Sequence, residues 1–140
     1  PLGRTLPGLF DDAHWSADLG VTNPSSTEAQ VRLATNLLAD LPTTKRAFLF
    51  VNISALHQPN RHYLADCQQD CLASHAAALR YVDSALAPLF ETMRRRAPTL
   101  AIMCSDHGTA YGEDGYHGHR VNHDVIGTVP YAETVMQVAS

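Results

Sequence analysis

Apolar residues recur at helical spacing in the first half of the chain, along Val31–Leu41. Ser25 and Glu28 stand at the spacing of a capping box, in which the serine accepts from a backbone N–H and the glutamate reaches back to the cap. Pro42 cannot continue a helix and closes the pattern. These features predict a helix at about 26–40.

Two short stretches are apolar almost without a break. Residues 46–53 read RAFLFVNI and residues 99–104 read TLAIMC, which fits strands covered on both faces, as in parallel sheets. Between them, helical periodicity predicts a helix from about Gln68 to Arg96, which Pro88 should kink or split. The order strand, helix, strand predicts a right-handed crossover between parallel strands.

The two ends of the chain carry weaker patterns. Residues 1–24 are rich in Gly, Pro and Asp and have no clear period, so we predict a loop-rich lead-in. Its apolar side chains are expected to pack onto the domain: Leu6, Leu9, Phe10 and Trp15. After Ile126 we expect one short strand, near Thr128–Tyr131 or near Thr134–Val138.

The predicted sheet is incomplete, because two strands buried on both faces need neighbours on each side. Either a partner subunit supplies them, or, as the favoured alternative, the chain is part of a larger α/β domain. We therefore expect a lead-in at 1–24 and, at 25–140, the C-terminal metal-binding part of a single α/β domain.

Composition excludes several classes of protein. The 140 residues are enough for one domain, and 45% hydrophobic with 17% charged residues is ordinary for a globular chain. A net charge of −4 argues against a nucleic-acid partner bound through a broad basic field. No apolar stretch is long enough to cross a membrane and no signal core is visible, so no membrane partner is expected. Three cysteines without a dense disulfide pattern favour a reducing compartment, and we expect a cytoplasmic location.

The candidate chemistry lies directly after the second predicted strand, where residues 104–123 read CSDHGTAYGEDGYHGHRVNH. Asp106 and His107 can offer a hard oxygen and an imidazole nitrogen to one cation, and three more histidines follow: His117, His119 and His123. This pattern favours a metal-assisted hydrolytic site. The alternative is a polar surface loop whose histidines have no common role.

The topology predicts a second contribution to this site. In an open parallel sheet, ligands bind beyond the carboxyl ends of the strands. His57 follows the first predicted strand closely, as Asp106 and His107 follow the second. Because parallel strands end at the same edge, we expect His57 to lie near the Asp106–His107 pair.

Three segments, in the same order, resemble the alkaline phosphatase superfamily. The stretch SDHGTAYGEDGYHGH at 105–119 is similar to its C-terminal metal motif, closest to the sulfatase and phosphoethanolamine-transferase branches. Upstream, FLFVNISALHQPN at 48–60 resembles the strand and H-x-P-like loop of that group, and SHAAALRYVDSALAPLF at 74–90 resembles its crossover helix. The resemblance spans about 46–131. It implies an α/β parallel-sheet sandwich of the alkaline phosphatase/sulfatase type, incomplete in this chain.

The resemblance also implies roles for four residues. Asp106 and His107 match the C-terminal metal ligands, and His57 matches a histidine that contacts the transferred phosphoryl or sulfuryl group. His119 matches a residue that stabilises charge or donates a proton. The mixed Asp/His ligand set favours zinc or manganese, with calcium or magnesium as the other possibilities.

The function that this resemblance implies is a metal-dependent hydrolase or transferase acting on a small-molecule phosphate or sulfate ester. Its nucleophile normally follows an upstream strand, and no such element precedes residue 46. We therefore expect this chain alone to be inactive, and a missing N-terminal half or a partner chain to complete the sheet. A non-catalytic metal- or anion-binding module and a partner subunit remain alternatives.

A separate metal site is conceivable in the crossover region. Cys67, Cys71 and His75 fall at i, i+4 and i+8, and His62 is nearby, so a zinc site is one interpretation. The other is a pair of small apolar thiols on a packed helix face.

Overall fold

The computed structural model describes residues 5–138, and two long helices dominate it. The helices are α1 (Ser26–Asp40), α2 (Leu72–Arg96) and the one-turn α3 (Asp124–Gly127). The strands are β1 (Thr99–Cys104), β2 (Ala110–Tyr111), β3 (His117–Gly118) and β4 (Tyr131–Met136). Short 3-10 helices lie at Pro7–Leu9, Ala17–Leu19, Arg61–Tyr63 and Glu113–Gly115.

The core lies between α1 and α2. Its buried cluster consists of Val31, Ala34 and Leu38 of α1 and Leu89 of α2. The helical period places the α1 residues on one face, and burying each larger aliphatic side chain contributes roughly 1.5–3 kcal/mol. Partly buried side chains pack around this cluster: Leu49, Val51, Leu86 and Met93.

The predicted helix at 26–40 is confirmed as α1, but its predicted capping box does not form. The Ser25 side chain makes no cap hydrogen bond. Instead, the Ser25 backbone N–H donates to the Asn23 side-chain oxygen at 3.0 Å, which fixes the turn before the helix. Asn23 therefore accepts the backbone N–H that Glu28 was expected to accept.

Helix α2 begins at Leu72, later than predicted, because Cys71 has extended backbone dihedrals and serves as its N-cap. The Cys71 backbone N–H donates to the Ser74 hydroxyl at 2.9 Å, and Cys71 Sγ accepts from the Ser74 backbone N–H. Pro88 lies inside α2 without splitting it. At the C-terminal end, the Arg96 guanidinium donates to the carbonyls of Leu41, Pro42 and Lys45.

Residues 46–53 do not form the predicted strand. The structure assigns them no hydrogen-bonded strand partner within residues 5–138. Leu49 and Val51 face the helical core, whereas Phe48 is 81% exposed and stacks on Phe10 with ring centroids 5.8 Å apart. A strand is stabilised by its ladder with a neighbour. Without one, this segment buries only one of its two apolar faces.

The second predicted strand is confirmed as β1, but its partner differs from the prediction. β1 pairs with β4 in antiparallel register, from Thr99 opposite Met136 to Cys104 opposite Tyr131. The parallel sheet is therefore not observed in the described part of the chain, where two two-stranded antiparallel sheets are found. β4 overlaps both of the ranges expected for the tail strand. Leu100 of β1 is 61% exposed.

The lead-in is loop-rich as predicted over the residues that the structure describes, but it packs poorly. Leu6, Leu9 and Trp15 are exposed, Trp15 to 86%, so the expectation that they pack onto the domain is wrong. Phe10 alone of the four is half-buried. Residues 1–4 of the lead-in and 139–140 of the tail lie outside the described residues. Among the described helices, none combines the length and apolar character required to cross a membrane.

Candidate functional site

Three imidazoles from distant parts of the sequence form one cluster. The rings of His107 and His119 stack with centroids 4.5 Å apart and planes only 17° from parallel. The ring of His57 meets that of His119 edge-on, with centroids 5.7 Å apart. The loop after residues 46–53 and the loop after β1 therefore meet at one place, although the parallel sheet expected to bring them together is not observed.

Backbone carbonyls determine which nitrogens of this cluster are available. His107 Nδ1 lies 2.8 Å from the Gly108 carbonyl oxygen, and His57 Nδ1 lies 2.5 Å from the Gln58 carbonyl oxygen. A carbonyl can only accept, so each Nδ1 carries the proton. In the neutral rings, Nε2 then keeps its lone pair, as a metal ligand requires.

Asp106 supplies the oxygen donor of the candidate metal centre. Its carboxylate lies 3.9 Å from His107 Nε2, and its side chain is 90% exposed. One carboxylate oxygen and one imidazole nitrogen suit a divalent cation such as zinc, but a closed site needs about four ligands. Within residues 5–138, no group of three or more His, Cys, Asp or Glu side chains is placed to hold a metal ion. Asp106 and His107 thus fit as part of a ligand set.

The electrostatics of the cluster favour a neutral His119. Partial burial lowers the pKa of its imidazole first, and the nearby rings of His107 and His57 and the charge of Arg120 lower it further. Stacked imidazoles cannot all be protonated without mutual repulsion. An anion bound beside the cluster would raise the pKa of His119 again.

Gly108 fixes the position of His107 through backbone contacts. Its N–H donates to the Ile126 carbonyl of α3 at 2.9 Å. A Cβ at this position would lie 1.9 Å from the Val125 carbonyl oxygen, so no other residue fits without a backbone shift. The sequence did not indicate this role, although a glycine directly after the Asp-His pair was the available signal.

The loop that follows β1, residues 105–123, is called the metal loop here because it contains the candidate ligands Asp106 and His107. Its remaining histidines do not join the cluster. His123 caps α3, with Nδ1 accepting from the Val125 N–H at 3.1 Å and Nε2 lying 3.1 Å from the Asp114 carboxylate. His117 lies exposed in β3. Glu113 is also structural: its carboxylate accepts backbone N–H groups, its own and that of Tyr111, which lower its pKa.

A buried polar network supports the loop that carries His57. The Asn60 side chain, fully buried, donates to the Tyr111 hydroxyl at 2.8 Å and accepts from the Ser74 hydroxyl at 2.6 Å. The Asp70 carboxylate accepts the backbone N–H groups of Asn60 and Arg61, both at 2.7 Å. The network ties the His57 loop to the start of α2 and to the metal loop, and the sequence carried no periodic signal for it.

The alternative zinc site of the crossover region does not assemble. Cys67 Sγ and Cys71 Sγ are 3.9 Å apart, but His75 Nδ1 lies 2.9 Å from the Tyr111 hydroxyl. The described residues offer no third ligand to the two thiols. The prediction of two thiols on a packed helix face also needs correction, because Cys67 precedes α2 and Cys71 caps it.

A family model matches most of the chain. The model described as Sulfatase matches residues 8–126, which include every residue of the imidazole cluster and Asp106. No curated protein and no solved structure matches the chain.

Proposed function

The chain belongs to the sulfatase family, and we propose that it forms the cation- and ester-binding part of a metal-dependent hydrolase of sulfate or phosphate esters. One observation carries this proposal: His57, His107 and His119 converge beside Asp106. Family membership supports hydrolytic chemistry in general, and the cluster supplies residue types that such chemistry needs.

We assign Asp106 and His107 to the metal. Their oxygen and nitrogen donors favour zinc or manganese over the harder calcium and magnesium. The bound ion would act as a Lewis acid that offsets the negative charge of the ester group. The hydrogen bond from His107 Nδ1 to the Gly108 carbonyl would orient the ring so that Nε2 can bind the ion.

His57 and His119 act on the ester itself. With Nδ1 of His57 held by the Gln58 carbonyl, Nε2 can donate to an ester oxygen once the ring is protonated. His119, whose pKa is lowered by burial and by its imidazole neighbours, is the stronger acid when protonated, which suits proton transfer to the leaving oxygen.

We propose that a further segment, either an N-terminal half or a partner chain, supplies the nucleophile and the neighbouring strands. The structure assigns no strand to residues 5–45, where a strand-end nucleophile would be sought. Leu100 and Ile102 of β1 are exposed, and residues 46–53 have no ladder partner in the described chain. Both features fit a sheet that is completed from outside residues 5–138.

The direct test compares Asp106→Asn with Asp83→Asn, a matched change of an exposed aspartate on α2. Each is made in the protein supplied with its completing segment, and metal content and hydrolysis of aryl sulfate and aryl phosphate are measured. We expect Asp106→Asn to lose bound metal and at least 100-fold in kcat/KM, a loss of about 2.7 kcal/mol in transition-state stabilisation. Unchanged turnover in Asp106→Asn would contradict the assignment.

A non-catalytic anion-binding module is the second candidate, favoured by the incomplete ligand set. It predicts that the completed protein binds sulfate and metal through the same residues and hydrolyses neither ester. The two aryl substrates therefore also distinguish the two functions and the two ester classes.

A further inference from the structure

Two free cysteines lie side by side where the chain enters α2. Cys67 Sγ and Cys71 Sγ are 3.9 Å apart, and both residues are half-buried, so reagents can reach them. Cys67 lies in the irregular segment before the helix, where backbone adjustment is easier than between successive helical turns. Disulfide formation needs the two sulfurs to approach to about 2.05 Å, so the gap to be closed is small.

The two thiols have opposite electrostatic environments. Cys71 is the N-cap of the 25-residue helix α2, and the backbone N–H of Ser74, followed by its hydroxyl, lowers the Cys71 pKa. Burial, followed by the hydrogen bond with Cys71, raises the pKa of Cys67, and its thiol donates to the Gln69 carbonyl at 2.9 Å. Cys71 therefore ionises more readily than Cys67.

We propose that Cys67 and Cys71 form a reversible dithiol–disulfide site that exchanges with small-molecule disulfides such as oxidised glutathione. The Cys71 thiolate attacks one sulfur of the small disulfide, which forms a mixed disulfide and releases one small thiolate. Cys67 then loses its proton and attacks Cys71 Sγ, which releases the second small thiol. The protein loses two electrons and two protons, and the small disulfide gains both.

The surroundings of the thiols make oxidation a local change. Asp70 lies between the two cysteines in sequence, and its carboxylate accepts the backbone N–H groups of Asn60 and Arg61, which fixes the loop beside the thiols. The two sulfur atoms are already in contact, so closing the disulfide needs only a small movement. This inference does not depend on the hydrolase proposal.

The test uses the unmodified chain in glutathione buffers of increasing oxidised fraction, followed by alkylation, trypsin and mass spectrometry. Both cysteines fall on the tryptic peptide 62–80, while Cys104 falls on 97–120. We expect peptide 62–80 to lose two hydrogen masses and its alkylation sites together as the buffer becomes oxidising, and to regain both in reduced glutathione. Brief alkylation of the reduced protein should modify Cys71 before Cys67.

Three variants complete the experiment. Cys104→Ser should behave as the parent, Cys67→Ser should stop at the mixed disulfide on Cys71, and Cys71→Ser should leave Cys67 largely unmodified. Circular dichroism checks that each variant is folded, and the measurement on the parent chain stands if one is not. Alkylation of both thiols at every buffer ratio would overturn the proposal, as would a persistent mixed disulfide or a bridge between two chains in the parent.

Discussion

At the scale of single residues, Gly108 is the position where the backbone leaves least room. We predict that Gly108→Ala lowers the free energy of unfolding by about 1–3 kcal/mol, because the new Cβ would lie 1.9 Å from the Val125 carbonyl oxygen. Gly127→Ala in α3 is the matched control, since a Cβ there meets nothing within 4 Å. Urea unfolding measures both. Equal stability of the two variants would contradict the backbone contact.

His75 gives a prediction about pH. The Tyr111 hydroxyl accepts from Asn60, so its proton is free to donate to His75 Nδ1, and burial lowers the His75 pKa. As the pH decreases, His75 is therefore protonated in the unfolded chain before it is protonated in the folded protein. The free energy of unfolding then falls as the pH drops below the ordinary histidine pKa of about 6.5. We expect the drop in unfolding free energy between neutral and mildly acidic pH to be smaller in His75→Gln than in the parent.

Urea unfolding of both proteins at the two pH values measures this difference. His119 also has a lowered pKa, so part of the acid sensitivity should remain in His75→Gln. His117→Gln, at an exposed position in β3, is the control and should keep the full drop. If His75→Gln and the parent lose the same stability on acidification, His75 is not a buried neutral group.

At the scale of elements, the Asn60 network connects the His57 loop, α2 and β2. Asn60→Ala removes one buried hydrogen bond from the Ser74 hydroxyl and one from the Tyr111 hydroxyl, so we expect a loss of about 1–3 kcal/mol in unfolding free energy. Amide exchange over residues 105–119 should also become faster, because Tyr111 is then held by His75 alone. Asn36→Ala, exposed on α1, is the control for the loss of an amide side chain. Unchanged exchange in Asn60→Ala would show that the metal loop is held by other contacts.

Elements whose signals are local could be predicted, and those that depend on distant partners could not. Helix α1 follows from its own apolar period and Pro42, and β1 from its uninterrupted apolar run. Residues 46–53 carry the same kind of run but lack a ladder partner in the described chain, so they form no strand. The antiparallel pairing of β1 with β4 is a non-local choice that no pattern within β1 encodes.

The same distinction applies to the candidate site. The sequence led us to expect His57 near the loop that follows β1, and their rings do meet, but not at a shared sheet edge, because residues 46–53 form no strand. The Gly108 contact with α3 and the Asn60 network could not be predicted, since each joins segments that are adjacent only after folding. The roles of Asp106, His57, His107 and His119 in chemistry remain predictions.

At the scale of the whole molecule, the sheet formed by β1 and β4 leaves apolar side chains uncovered. Leu100 and Ile102 are two positions apart in β1, so their side chains project from the same face of the sheet, and both are exposed. An exposed apolar strand with a free edge associates with other chains unless a neighbour covers it. The purified chain should therefore self-associate in a concentration-dependent way.

We predict that the double change Leu100→Thr and Ile102→Thr reduces this self-association at least several-fold, because threonine removes apolar surface and its β-branched side chain suits a strand. Sedimentation velocity over a range of concentrations measures the effect, and circular dichroism confirms the fold. Leu9→Thr is the control, since Leu9 is even more exposed but lies in the lead-in and not in the sheet. An equal reduction in Leu9→Thr would mean that general surface hydrophobicity drives association. A specific effect of the two changes in β1 would show that this face of the sheet drives the association.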